Sequence, residues 1–352
     1  MKQLKIILTL ILIISFSINS CKNDDDDELF NSKSEWLELF FNEVKNYDDI
    51  YAISYWHEDF DDTQLKVNSS EASLNTFKNL INSDDYISSC KFENNKLIPI
   101  ENKKYFASFP DFCGEEDCVS EKIITDYETL IGKEIAWAYF SNNWNDTIVF
   151  PYDEVQAIIN TDKTPFIRMM PRSEFEEGRI DPIWNLNDII SGKHDEALTN
   201  WFEEAKNTNQ NLLVEFGTEV NGFWFSWNAT YYGKGETTNY GDTSYPDGAE
   251  IFRDAYRHII NLSKQVGANN LTWFFHFDVN NDPEEDWNNA KLYYPGDDYI
   301  DWLGVSIYGP MTKDEDFNEY YPADLIDKAY NKFQEISKNK PYAILEFGVT
   351  EL

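Results

Sequence analysis

Short apolar or aromatic runs alternate with amphipathic stretches along most of this chain, and that alternation constrains the fold more than any other feature. It is the signature of strand–helix units on a parallel sheet. Strands are expected at 105–112, 134–140, 165–170, 211–219, 271–277, 302–309 and 342–347. Helical text lies between them. In "DEALTNWFEEAKN", Ala197, Leu198, Trp201, Phe202 and Ala205 fall at the helical period. "AEIFRDAYRHIINLSKQVG" is a second such stretch, with Gly267 as its stop signal.

Seven parallel strands would leave two bare edges, and a closed (β/α)8 barrel needs one strand more. The front of the chain holds the missing parts. "SKSEWLELFFNEVKNY" reads as a helix, with Ser32 and Glu35 at capping-box spacing and Trp36, Phe40 and Val44 on one face. "DIYAISYWHEDF" then reads as a buried strand at 49–57, and "SSEASLNTFKNLINS" as a second helix carrying Leu74, Phe77 and Leu80 or Ile81. The expected fold is therefore a circularly permuted TIM barrel. Strand 8 lies near the N-terminus, in 32–90, and strands 1 to 7 fill 104–352. The alternative is a fragment with an unrelated leading segment. The permuted reading predicts that Phe30 and Leu352 are neighbours.

The chain has 352 residues, with 29 Lys+Arg against 64 Asp+Glu, for a net charge of −35. That charge repels polyphosphate, so nucleic-acid partners are excluded and a neutral substrate is favoured. The 11 Trp, 21 Tyr and 25 Phe exceed what a core needs and suit stacking on sugar faces. Two motif leads fail. "DVNNDPEED" starts like a calcium loop but has Pro283 where Gly is required and Asn289 where Glu is required. No Gly-rich phosphate cradle follows a strand.

Residues 1–20 read as an export signal, with Lys2 and Lys5 ahead of an apolar run too short to span a bilayer. The Ser-Ile-Asn-Ser-Cys ending resembles a bacterial lipobox, which implies acylation of Cys21. Ordinary cleavage nearby is the alternative. Within the acidic tether 21–31, "KNDDDDE" (Lys22 to Glu28) resembles the export signal of cell-surface lipoproteins of Bacteroidetes type, a plain solvated tether being the alternative. The resemblance implies an outer-membrane, surface-exposed protein anchored by lipid. The monomer is the expected state. "CGEEDC" could close a disulfide between Cys113 and Cys118, leaving Cys90 odd, although connectivity is not readable from spacing.

Two glutamates stand out by position: Glu219 in "EFGTEVNGFWFSWN" and Glu346 in "AILEFG". Both fall at the C-terminal ends of strands, the catalytic face of a barrel. The strand-4 acid/base and strand-7 nucleophile of clan A glycoside hydrolases have this layout. "GTEVNGFWFSW" resembles the acid/base motif of glycoside hydrolase family 26. "YYPGDDYIDWLGVSIYG" and "PYAILEFG" are similar to that family's runs into strands 6 and 7. Thr218 stands where the family usually has His.

The resemblance implies a retaining hydrolase of a neutral polysaccharide, endo-β-1,4-mannanase first, with β-xylanase or β-glucanase second. A non-catalytic glycan-binding lipoprotein is the rival from another class. It implies Glu219 as acid/base, Glu346 as nucleophile, Tyr308 aimed at Glu346, and Trp56 as the sugar-stacking floor. Trp224 and Trp227 would line the cleft, and Asn221 would bond within its own loop. His57 and His276 are weighed between substrate contact and a wall position. Arg168 reads as a buried ion-pair partner. No metal or cofactor is required by that mechanism.

Overall fold

The computed structural model describes residues 32–60, 62–175, 177–312, 315 and 317–351. The leader 1–20, Cys21, the tether 21–31, Phe30 and Leu352 lie outside the described residues. Among the described residues, no helix is long and apolar enough to cross a membrane.

Eight parallel strands form a closed ring: β1 (Ile50–Trp56), β2 (Lys104–Phe109), β3 (Trp137–Asn143), β4 (Thr164–Met170), β5 (Leu212–Phe216), β6 (Leu271–Asp278), β7 (Trp302–Tyr308) and β8 (Tyr342–Gly348). Each pairs with its neighbour in chain order, and β1 pairs with both β8 and β2 to close the barrel. All eight expected strands are present. The 211–219 run is shorter than its text suggested: β5 stops at Phe216, so Glu219 sits in the turn beyond the strand. Gly217 explains the stop. Its φ is +63, and a Cβ there would lie 2.9 Å from the Phe252 ring and 3.1 Å from Trp227.

The barrel interior is aromatic. Phe166 meets Phe274 at 4.7 Å between ring centroids, and Phe274 stacks on Trp302 at 5.7 Å. A two-residue-a-side hairpin, Phe92–Glu93 against Lys96–Leu97, plugs the N-terminal mouth. Leu97 donates its N–H to Thr272 Oγ1, and its carbonyl accepts from Trp302 Nε1. Sequence patterning gave no hint of this plug, because its strands are too short to carry a period.

The leading helix α1 (Lys33–Glu43) begins at an N-cap, with the Ser32 hydroxyl accepting from the Glu35 N–H. Its Trp36, Phe40 and Val44 are fully buried, as the one-face pattern required. Phe40 lies flat on Phe347 of β8 at 4.3 Å. The helix that precedes the first strand therefore covers the last one, where a helix following β8 would sit.

The first and last described residues converge. Lys33 Nζ donates to the carbonyls of Gln64 and Lys66 at 2.7 and 2.8 Å. Glu351 accepts from Ser69 and Ser73 at 2.8 and 2.7 Å, and Thr350 Oγ1 accepts from the Gln64 N–H. The neighbours of Phe30 and Leu352 thus meet on one segment, 64–73.

Candidate active site

The C-terminal ends of the strands bring a dense set of ionisable groups together. Past β5 the chain turns sharply, and Glu219 itself has φ +46. A non-glycine residue in that region costs about 1–2 kcal/mol. The turn is held by Trp227, whose Nε1 donates to the Thr218 carbonyl at 2.8 Å. Trp224 Nε1 donates to Glu219 Oε2 at 2.8 Å.

Glu346 lies within β8, three strands around the ring from β5. Its Oε2 accepts from the Tyr308 hydroxyl at 2.9 Å, and its Oε1 lies 3.4 Å from Arg168 Nη2. One carboxylate oxygen of Glu219, one of Glu346 and a ring nitrogen of His276 all lie within 4.8 Å of one another. Both carboxyls are largely buried, at 8% and 4% exposure.

A second layer orients the first. His276 is fully enclosed: Nδ1 faces Thr218 Oγ1 at 2.7 Å and Glu215 Oε2 at 3.1 Å, and Nε2 faces Ser306 Oγ at 2.8 Å. Tyr139 donates to Glu215 at 2.5 Å. Arg168 lies among three carboxylates, 3.0 Å from Glu116, 3.4 Å from Glu346 and 3.6 Å from Glu215. Its reading as an ion-pair partner agrees with this geometry.

The electrostatics move the two glutamates in the same direction through different neighbours. Burial pushes both carboxyls up, and each neighbours the other. Glu219 is raised to about 7, by burial first and the Asp278 carboxylate second. Glu346 is likewise raised to about 7 by burial, with Arg168 opposing the rise and the Tyr308 hydroxyl donating to its carboxylate. Two carboxyls this close in a buried site cannot both ionise freely, so the pair keeps a shared proton toward neutral pH. Burial alone would lower the His276 pKa, but Glu215 more than offsets it and the net direction is up. Glu215 itself is held down by His276 and Arg168 against its own burial.

The structure distributes the sequence-expected residues unevenly. Glu219, Glu346, Tyr308, Trp224 and His276 converge. Trp56 ends β1, stacked on Phe109 at 4.0 Å with the Arg168 guanidinium 5.4 Å from its ring centre, and only 4% of it is exposed. Asn221 does not bond within its own loop. Fully buried, it ties that loop to the one after β6, through the Asp278 N–H and the carbonyls of Asp278 and Asn280. Trp227 is packed under the loop against Phe225 rather than lining a cleft. His57 is a wall residue, with Nδ1 accepting from the Val67 N–H and the ring against Tyr127. Burial, then Lys66 and Lys33, lowers its pKa to about 3, so it stays neutral.

Four acids went unread in the sequence: Glu58, Glu116, Glu215 and Asp278. Two had a signal. Asp278 follows His276 by two residues on one strand and so shares its face, and Glu58 follows Trp56 by the same step. Asp278 is raised to about 6 and Glu58 to about 8, in both cases chiefly by burial.

The profile of Glycosyl hydrolase family 26 matches residues 186–340. This chain is glycosyl hydrolase family 26-like. The match spans the Glu219 turn, β6 and β7, and stops short of Glu346. The family 26-like chain is 26% identical over 236 residues to Endoglucanase H of Acetivibrio thermocellus, covering 66% of this chain and 23% of that protein. It is 28% identical over 156 residues to Mannan endo-1,4-beta-mannosidase A and B of Caldalkalibacillus mannanilyticus, covering 44% of this chain and 25% of the relative. The chain therefore spans about a quarter of the length of these curated relatives. A solved GH26 beta-mannanase from Bacteroides ovatus aligns over 90% of this chain and 77% of its own, at 12% identity and a TM-score of 0.43.

Proposed function

We propose that this family 26-like barrel is a retaining glycoside hydrolase acting on a neutral β-linked polysaccharide, with mannan the first candidate. The observation that carries the reading is the pair itself: two buried carboxylates within 4.8 Å, one beside a cation and a phenol, the other beside a further acid. Retaining hydrolysis needs two carboxyls about 5–5.5 Å apart, one protonated and one ionised.

Each residue then has a defined task. Protonated Glu219 gives its proton to the glycosidic oxygen as that bond breaks. Ionised Glu346 attacks the anomeric carbon and forms a glycosyl-enzyme. Glu219, now a base, takes a proton from water, and the hydroxide equivalent displaces Glu346 with net retention. Tyr308 and Arg168 stabilise the Glu346 anion before attack. His276 holds the floor between the two acids.

The rim supports a long, uncharged substrate. Five large apolar side chains that remain exposed, Phe60, Val149, Ile180, Ile183 and Phe223, sit in loops at the strand ends that carry the pair. The endoglucanase name of one relative favours testing β-glucan as the second substrate. Relative to family numbering the barrel is proposed to be permuted by one unit. Acylation of Cys21, with an outer-membrane surface location, is proposed from the leader text, and loss of lipid labelling in Cys21→Ser would test it.

The deciding experiment is reducing-end release from mannans, xylans and β-glucans by residues 22–352, with Glu346→Ala run in parallel. Release by wild type alone supports the hydrolase. Glycan binding by a folded wild type without release from any polymer would instead favour the binding-protein reading.

A further inference from the structure

The loop between β2 and the next helix reaches into the barrel mouth, and its tip is Glu116. The Cys113–Cys118 disulfide closes this loop. Glu116 Oε2 lies 3.0 Å from Arg168 Nη1 and 3.2 Å from Arg172 Nη2, and it also accepts from the Ser141 hydroxyl at 2.5 Å. The backbone is tied down as well: Ser141 N–H donates to the Glu116 carbonyl, and Asn143 Nδ2 donates to the Glu115 carbonyl and the Asp117 carboxylate.

Arg168 is the link to the chemistry. Among the described residues it is the cation within ion-pair distance of Glu346. Its contacts with Glu346 and Glu215 are longer ion pairs of 3.4 and 3.6 Å, whereas its contact with Glu116 is a direct hydrogen bond. Glu116 is thus the anchor that keeps the guanidinium shared among three acids instead of collapsed onto the nucleophile.

The loop does not favour this shape by itself. Asp111, Cys113 and Glu116 have φ of +49, +65 and +60, although none is glycine. Such positions persist only where the surroundings over-determine them. Here the disulfide and the Asn143 bonds supply that restraint.

We propose that Glu116 is a positioning residue for the reaction proposed above, and that the Cys113–Cys118 disulfide holds it in place. The loop sets how strongly Arg168 neutralises Glu346. Without the Glu116 charge, Arg168 has one acid fewer to share and binds the Glu346 anion more tightly. The anion becomes easier to form and poorer at attack. The other charged or titratable groups around Glu346 are Glu219 and Glu215 from the β5 region, His276 and Asp278 from β6, Tyr308 from β7 and Tyr139 from β3. Around Glu116 they are Arg168, Arg172, Glu58 and Asp117.

The test follows the Glu346 carboxyl directly, by carbon NMR titration of protein labelled at the glutamate side chain and assigned by difference against Glu346→Gln. Wild type, Glu116→Gln and Cys113→Ser/Cys118→Ser are compared, with wild type reduced by a phosphine as a further arm should the double variant not fold. Both cysteines are exposed and open to the reductant. The inference expects the Glu346 midpoint to fall by about half a pH unit or more in every altered form, since a nearby charge acts directly on a buried carboxyl. It expects kcat to fall about tenfold, with KM within twofold, because the altered charge acts on attack and not on sugar binding. A midpoint that stays put or rises in Glu116→Gln overturns it. A midpoint that falls in Glu116→Gln but not after loss of the disulfide overturns the role of the cross-link. Failure of wild type to release sugar would sink the proposed hydrolase while leaving the titration to decide this inference.

Discussion

The Tyr308 hydroxyl donates to Glu346 Oε2 at 2.9 Å, from the strand next to the one that carries the acid. The two residues are 38 positions apart in sequence, and adjacent strands make them partners. A donor to a carboxylate favours the ionised form. Tyr308→Phe removes it without changing ring size. A hydrogen bond to a charged group contributes about 1.5–3 kcal/mol. The expected result is a loss of kcat/KM of roughly 10- to 100-fold, with the acid limb of the pH profile moved to higher pH. Unchanged kinetics would show that the bond is idle.

Trp224 makes the matching test on the other acid. Its Nε1 donates to Glu219 Oε2, so Trp224→Phe keeps an aromatic ring and deletes the donor. The Glu219 anion is then less favoured and its pKa rises. The basic limb of the profile should move to higher pH, the acid limb should hold, and kcat/KM should fall roughly tenfold, as expected for about one hydrogen bond. Steady-state rates on a soluble mannan between pH 4 and 10 would read both limbs.

The wild-type profile should be a narrow bell near neutrality. The proposed mechanism needs Glu346 ionised and Glu219 protonated, and burial raises each to about 7. Falling pH protonates Glu346 and removes the nucleophile. Rising pH strips the proton from Glu219 and removes the acid. The two midpoints belong to the pair, because the carboxyls interact. A profile flat from pH 5 to 9 would contradict the assignment of these two residues.

Phe40→Ala tests the fit of the leading helix. Phe40 is fully buried and stacked on Phe347 of β8. Truncating a buried Phe costs roughly 3–5 kcal/mol. Chemical denaturation should show that loss, with Glu346, one residue before Phe347, less well fixed and activity reduced beyond what the unfolded fraction explains.

The ring was legible because strand text and helix text have different periods, and seven strands at the back of the chain needed the one at the front to close. The paired glutamates were legible because strand ends face the barrel mouth. The support beneath them was not. Glu215 meets His276 only across two strands, and Glu116 meets Arg168 only after its loop folds back over the mouth. Such contacts leave no spacing in the chain. Asn221 bonds across to the loop after β6 instead of within its own loop, and that contact leaves no spacing in the chain either. An aromatic residue beside a strand-end acid looks like a cleft residue in one dimension, while Trp227 holds the turn from beneath.

The docking of α1 on β8 also has a consequence for the order of synthesis. The helix leaves the ribosome long before its partner strand exists. At about 5–20 residues per second, the intervening stretch takes on the order of 15–60 s to make. Through that interval Trp36, Phe40 and Phe41 have no β8 to cover, and the ring cannot close. Closure therefore waits until β8 has been made, and a chain stalled before it offers chaperones an aromatic helix face that the closed barrel hides.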